Sequence, residues 1–167
     1  LDFYNIDSML TDEEREIRDN TREWVEDRFL SQDPSTGLSV IETHCANGTF
    51  PKELAKEFGE NMLLGVNLEG YGCPGMSNIA YGLVCQELER GDSGLRSFAS
   101  VQGSLCMYPI WAFGTEKQKN KYLPKMAAGE LIGCFGLTEP DHGSNPAGMV
   151  TRAVDDGDSY ILNGAKM

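Results

Sequence analysis

Gly136-Leu137-Thr138-Glu139-Pro140-Asp141-His142-Gly143-Ser144-Asn145-Pro146-Ala147-Gly148 follows an apolar run, Leu131 to Leu137, and marks where the chain stops reading as helix. Glycines at 143 and 148 let the backbone approach a ligand closely or take positive φ, Pro140 and Pro146 hold the turn open, and Ser144 and Asn145 add polar groups. A loop of this make-up suits a flat polar cofactor and its phosphates. Taken alone, a polar Gly/Pro loop is more often only a connection.

Upstream of the loop the pattern is helical. Thr11 with Glu14 makes a capping box, and Ile17, Trp24, Val25 and Phe29 recur at near-helical spacing, so residues 11–30 form an amphipathic helix with Trp24 as core. Ser31 to Ser39 reads as a loop. Pro51 opens a second helix carrying Leu54, Ala55 and Phe58, and Gly65 to Met76, with four glycines and a proline, is loop. Residues 78–90 resume the helical pattern until Gly91-Asp92-Ser93-Gly94 interrupts it. A further helix runs from Leu95 to about Tyr108, where Pro109 kinks or ends it. Thr115 and Gln118 then cap a basic helix to Met126, ended by Gly129, whose lysines 117, 119, 121 and 125 form a solvated face.

After Gly129 the grammar becomes that of strands. Leu131 to Leu137 is a short apolar run, Met149 to Val154 alternates, Asp155 to Asp158 is a turn, and Tyr160-Ile161-Leu162 meets Asn163-Gly164, a type I′ hairpin signal. The expected organisation is α+β: an all-α helical domain over 1–130, then the first strands of an antiparallel β-domain over 131–167. The chain stops at Met167 straight after that signal. A sheet left open there is an unlikely natural end, so the working protein is expected to be longer, or the chain to be a fragment.

Charge and cysteines exclude whole classes. Twenty-six acids against fourteen Lys and Arg give −12 over 167 residues, with no basic cluster, so nucleic-acid or anionic-lipid binding lacks its main electrostatic term. No apolar run approaches the roughly 20 residues of a membrane span, and residues 1–10 do not read as a signal peptide. Cys45, Cys73, Cys85, Cys106 and Cys134 are scattered and odd in number, which fits reduced thiols in cytoplasm or an organelle matrix rather than secretion. His44 and His142 have no partners at ligand spacing, so no metal is expected.

The loop, with its Thr-Glu-Pro turn leading through two residues into Gly-Ser-Asn, resembles the flavin-contacting signature of the acyl-CoA dehydrogenases, with Asn145 where Asp is usual. The stretches ELERGDSGLRSFASVQGSLCMYPI (87–110) and GTEKQKNKYLPKMAAGELIGCFGLTEP (114–140) are similar to the glutaryl-CoA dehydrogenase branch of that family. The resemblance implies an N-terminal helical domain, a middle β-domain and a C-terminal helical bundle, of which this chain holds the first and the opening of the second. It implies FAD as cofactor, an acyl-CoA substrate, electron-transfer flavoprotein as acceptor, a homotetramer, and a bacterial, archaeal or mitochondrial-matrix location. Its catalytic glutamate lies in the third domain, so no catalytic residue is expected here. Phe135, Leu137 and Thr138 would line the isoalloxazine, though strand packing explains Phe135 and Leu137 as well, and Gly143 and Ser144 would approach the cofactor's phosphates and the acyl-CoA. Glu139 is expected to cap amides of its turn, and His142 takes no role.

Arg96 bears on the substrate. An arginine on an acidic chain usually pairs with its neighbours, here Glu89 or Asp92. The resemblance offers another part: Arg96 and Ser97 would meet the substrate, with the guanidinium on a distal carboxylate and Glu89 holding it in place. Leu95 and Gly91 depart from the aromatic and branched apolar residues usual there. Three readings follow: dehydrogenation of a dicarboxylic acyl-CoA such as glutaryl-CoA, an oxidase or monooxygenase of the same fold, and a non-enzymatic helical interaction module.

Overall fold

Helix α1 (Asp12–Val25) starts with the expected reciprocal box: Thr11 Oγ1 accepts the Glu14 amide, and the Glu14 carboxylate accepts the Thr11 amide. The computed structural model describes residues 2–167. The second Glu14 oxygen accepts from Ser77 Oγ at 2.6 Å, and Ser77 in turn takes the Ala80 amide, so two helix starts 63 residues apart are locked together. Replacing Thr11 with alanine is expected to cost about 1 kcal/mol, read as a melting point lowered by roughly 2–4 °C.

The helix continues through Leu30 with a wider, π-type turn over Glu26–Leu30 that buries Phe29. Trp24, expected as core, is half-buried and packs against it, edge-on to Phe29 at 4.8 Å and to Phe58 at 5.0 Å. Ser31 to Ser39 is a loop closed by a bridge between Gln32 and Ser39. Helix α2 (Val40–Asn47), unexpected from the sequence, follows behind a Ser39–Glu42 box; none of its residues is fully buried, so it lacks the apolar stripe that betrays a helix. Helix α3 (Ala55–Glu60), led in by a 3₁₀ turn at Lys52–Leu54, buries Leu54, Ala55 and Phe58.

Residues 65–76 are loop except for a two-residue ladder, β1 (Glu69–Gly70) against β2 (Cys73–Pro74). Helix α4 (Asn78–Gly91) packs along α1, and only Asp92 separates it from α5 (Ser93–Ser100), which the Asp92 carboxylate starts by accepting the Gly94 amide at 2.7 Å. Pro109 does not end the next helix. Val101–Met107 is π-wound and runs straight into α6 (Tyr108–Phe113), so the helix passes through Pro109 with the wider π turn just before it. Helix α7 (Glu116–Ala127) opens with the Thr115–Gln118 box, and Lys117, Lys121 and Lys125 are exposed. Gly129 ends it at φ 69, and a Cβ there would collide with the Ala55 carbonyl.

Two compact units result, Leu1–Cys134 and Phe135–Met167. The apolar run from Leu131 is not a strand. Buried Gln102 donates to the Met126 carbonyl at 3.0 Å and the Leu131 carbonyl at 2.7 Å and accepts the Gly133 amide at 2.8 Å, which fastens residues 131–133 to helices instead of to a sheet. In the second unit β3 (Arg152–Asp155) pairs antiparallel with β4 (Tyr160–Asn163), joined through the expected Asp-rich turn. Asn163-Gly164 is not a type I′ turn. Asn163 still belongs to β4, Gly164 takes φ 149 with Thr151 where a Cβ would stand, and the chain then crosses to residues 137–139, where the Met167 amide donates to the Thr138 carbonyl at 2.9 Å.

Candidate functional site

In the second unit the Thr-Glu-Pro turn is closed on itself, since Glu139 and His142 exchange amide-to-carbonyl bonds at 3.2 and 3.1 Å. The Glu139 side chain reaches beyond that turn. Only 2% exposed, it accepts from the Val150 amide at 2.7 Å, the Thr151 amide at 3.0 Å and the Lys166 ammonium at 3.0 Å. The bonds from Thr151, Val150 and Lys166 hold its carboxyl down at about 2, so it stays ionised. Glu139 is thus an amide cap as expected, but of the segment entering β3.

This fastening decides which groups of the loop stay free. The Leu137 and Thr138 carbonyls are taken, by Lys166 Nζ at 3.0 Å and the Met167 amide at 2.9 Å. The amides of Leu137 and Thr138 and the Thr138 hydroxyl have no partner among the described residues, and the Phe135, Leu137 and Thr138 side chains are exposed. Donors and apolar surface side by side suit one edge and face of a flat heteroaromatic ring. Gly143 and Ser144 are exposed, their amides have no partner among the described residues, and a Cβ on Gly143 would meet nothing within 4 Å. Among the described residues no packing contact calls for glycine there, and its bare backbone lies open to a ligand. The exposed loop therefore fits a bound flavin nucleotide.

In the first unit Arg96 Nε donates to Glu89 Oε2 at 2.6 Å, while Ser93 Oγ donates to Glu89 Oε1 at 2.8 Å. Asp92 is not its partner. The Arg96 side chain remains 37% exposed, and among the described residues Nη1 touches only Ser100 Oγ at 3.5 Å, so one edge of the guanidinium stays open to a further acceptor. Burial pushes the nearby Cys85 thiol and Tyr81 phenol up, so both stay neutral beside Arg96. Ser97 lies elsewhere, lining an apolar hollow of about 280 Å³ with Phe50, Phe98 and Val101. The structure therefore joins Arg96 to Glu89 and does not join Ser97 to them.

Two polar centres were not expected from the sequence. Glu87, 1% exposed, accepts a two-bond fork from Arg22 at 3.0 and 2.9 Å, plus Arg90 at 3.0 Å and Gln86 at 3.1 Å. Lys166 is the other, and its only local signal is a cation just after Asn163-Gly164. His44 bonds Thr49 at 2.8 Å and faces Glu53 at 3.4 Å. Among the described residues no three His, Cys, Asp or Glu side chains gather as a metal site, and no helix is long and apolar enough to cross a membrane.

A glutaryl-CoA dehydrogenase from Mycobacterium smegmatis, solved in complex with FADH2, superposes with a TM-score of 0.90 at 53% identity, over 100% of this chain and 41% of that one. The probable acyl-CoA dehydrogenase YngJ of Bacillus subtilis is 42% identical over 122 residues, 71% of this chain and 32% of its own length. A glutaryl-CoA dehydrogenase from Desulfococcus multivorans is 40% identical over 121 residues, 70% of this chain and 31% of its own. The chain thus spans about a third to two fifths of the proteins it matches. Residues 11–130 match the acyl-CoA dehydrogenase N-terminal domain, and the chain belongs to the acyl-CoA dehydrogenase family.

Proposed function

We propose that the complete protein is an FAD-dependent dehydrogenase of acyl-CoA thioesters, with glutaryl-CoA or another dicarboxylic acyl-CoA as substrate and electron-transfer flavoprotein as acceptor. The observation that carries the reading is the Leu137–Thr138 peptide, whose carbonyls are tied down while its amides and the Thr138 hydroxyl stand free beside exposed Phe135 and Leu137. Thr138 and the two amides would donate to the polar edge of the flavin ring, Phe135 and Leu137 would line it, and Gly143 and Ser144 would offer amides to its phosphates and to the acyl-CoA. When bound, the flavin supplies the acceptor for a hydride leaving the substrate's β-carbon. Arg96 would read the distal carboxylate through its free edge, with Glu89 orienting it, while Ser97 would meet the substrate from the separate apolar hollow it lines.

The full-length protein is expected to purify yellow. A solved complex should place the flavin within hydrogen-bonding reach of Thr138 or Ser144; a flavin more than about 6 Å from both would refute the assignment. A bound flavin excludes the interaction-module reading. Reoxidation far faster by oxygen than by an electron-transfer flavoprotein would favour the oxidase or monooxygenase alternative instead.

A further inference from the structure

Lys166 makes contacts that ion pairing with one carboxylate does not require. Its ammonium donates to Glu139 Oε1 at 3.0 Å and to the Leu137 carbonyl at 3.0 Å, and it rests against Met149 Sδ at 3.8 Å. The stem lies along Gly136, where a Cβ would come within 3.6 Å of Lys166 Cγ, and the next amide, Met167, holds the Thr138 carbonyl at 2.9 Å. Consecutive carbonyls of the 137–138 segment are thus gripped by consecutive residues from beyond β4. The Glu139 carboxylate has its own anchors in the Val150 and Thr151 amides, so its ionised state does not depend on Lys166 alone.

We propose that Lys166 is a positioning residue for the cofactor: by holding the Leu137 carbonyl it orients the Leu137–Thr138 peptide so that its amides and the Thr138 hydroxyl face the flavin. A lysine suits the task because one ammonium has three donors to divide among a carboxylate, a carbonyl and a third contact. The proposal rests on the flavin reading above. It goes further in assigning control of cofactor affinity to a side chain outside the loop that touches the cofactor.

The test uses the full-length protein as wild type, Lys166→Met, and the double variant Lys166→Met/Glu139→Gln, in which no buried carboxylate is left without its cation. Flavin-free protein is prepared from each, its melting temperature recorded, and FAD titrated back. Lys166→Met is expected to weaken FAD binding at least tenfold and to shift the visible flavin spectrum. In the double variant FAD binding should stay weak, because the Leu137 carbonyl is still released; its melting temperature serves only as a fold check, since the glutamine NH2 must face one of the Val150 and Thr151 amides. Recovery of FAD affinity in the double variant overturns the proposal, since Lys166 would then serve only to neutralise Glu139. Unchanged affinity in the single variant overturns it as well. A wild type that neither carries nor takes up flavin sinks the functional reading itself, and the Lys166 proposal with it.

Discussion

Replacing Arg22 with methionine is expected to destabilise the folded protein by roughly 3 kcal/mol at neutral pH, the low end for breaking a buried ion pair because Arg90 and Gln86 keep their bonds to Glu87. The cost falls on the carboxylate. Glu87 sits between α1 and α4 with almost no access to water, and burial alone would raise its pKa; the bonds from Arg22, Arg90 and Gln86 overcome that and hold it at about 2, against an ordinary 4.5. A group whose folded pKa is depressed contributes stability that is present above 4.5 and lost as pH falls toward 2, here about 3 kcal/mol in total. Denaturant titrations across that window should therefore show the Arg22→Met deficit shrinking as pH drops and Glu87 protonates in both proteins. A deficit that stays constant down to pH 2.5 or so would assign the loss to the arginine's aliphatic stem instead. Glu87→Gln should cost less than Arg22→Met, because the guanidiniums of Arg22 and Arg90, 43% and 39% exposed, can return to water while a stranded carboxylate cannot.

That asymmetry also explains what could be read from the sequence. Local chemistry was legible: Thr11 with Glu14, Thr115 with Gln118, and Gly129 all act where their spacing places them, because a cap is satisfied within four residues of its own helix. Nothing in the helical pattern of 78–90 marked Glu87, since its arginine stands 65 residues earlier and no spacing rule joins them. The same limit applies at Leu131 to Leu137, where an apolar run reads as a strand but Gln102, 29 residues upstream of Leu131, takes the backbone bonds. Asn163-Gly164 is a hairpin signal only if the next residues return along β4. Here they bond to Leu137, Thr138 and Glu139 instead. In the loop, the sequence showed which residues carry donors; which carbonyls are occupied, and hence which donors stay free, depends on Lys166 and Met167 and appears only in three dimensions.

Arg96→Ala in the full-length enzyme is expected to lower kcat/KM for glutaryl-CoA about thirty-fold or more, while a neutral acyl-CoA of similar length loses far less. The geometry supplies the reason. Glu89 occupies the Nε side of the guanidinium and is itself braced by Ser93, which fixes the direction of the arginine, while the terminal nitrogens meet only a long contact to Ser100. A planar cation held from behind presents its remaining donors as a preformed fork, so a carboxylate gains two bonds without paying for the ordering of a free side chain. The two departures from the glutaryl-CoA dehydrogenase pattern lie behind this face: Leu95 is fully buried in the core, and a Cβ on Gly91 would meet Val25 Cγ1 at 2.7 Å. Both therefore bear on how α4 and α5 pack, and neither covers the open edge of the Arg96 guanidinium. Glu89→Gln supplies the second arm. It keeps a hydrogen-bond acceptor but weakens the brace, and should raise KM for the dicarboxylic substrate with a smaller effect on the neutral one. Equal losses for both substrates on Arg96→Ala would make the Arg96–Glu89 pair a structural link between α4 and α5, and the dicarboxylic assignment would fall while membership of the acyl-CoA dehydrogenase family stands.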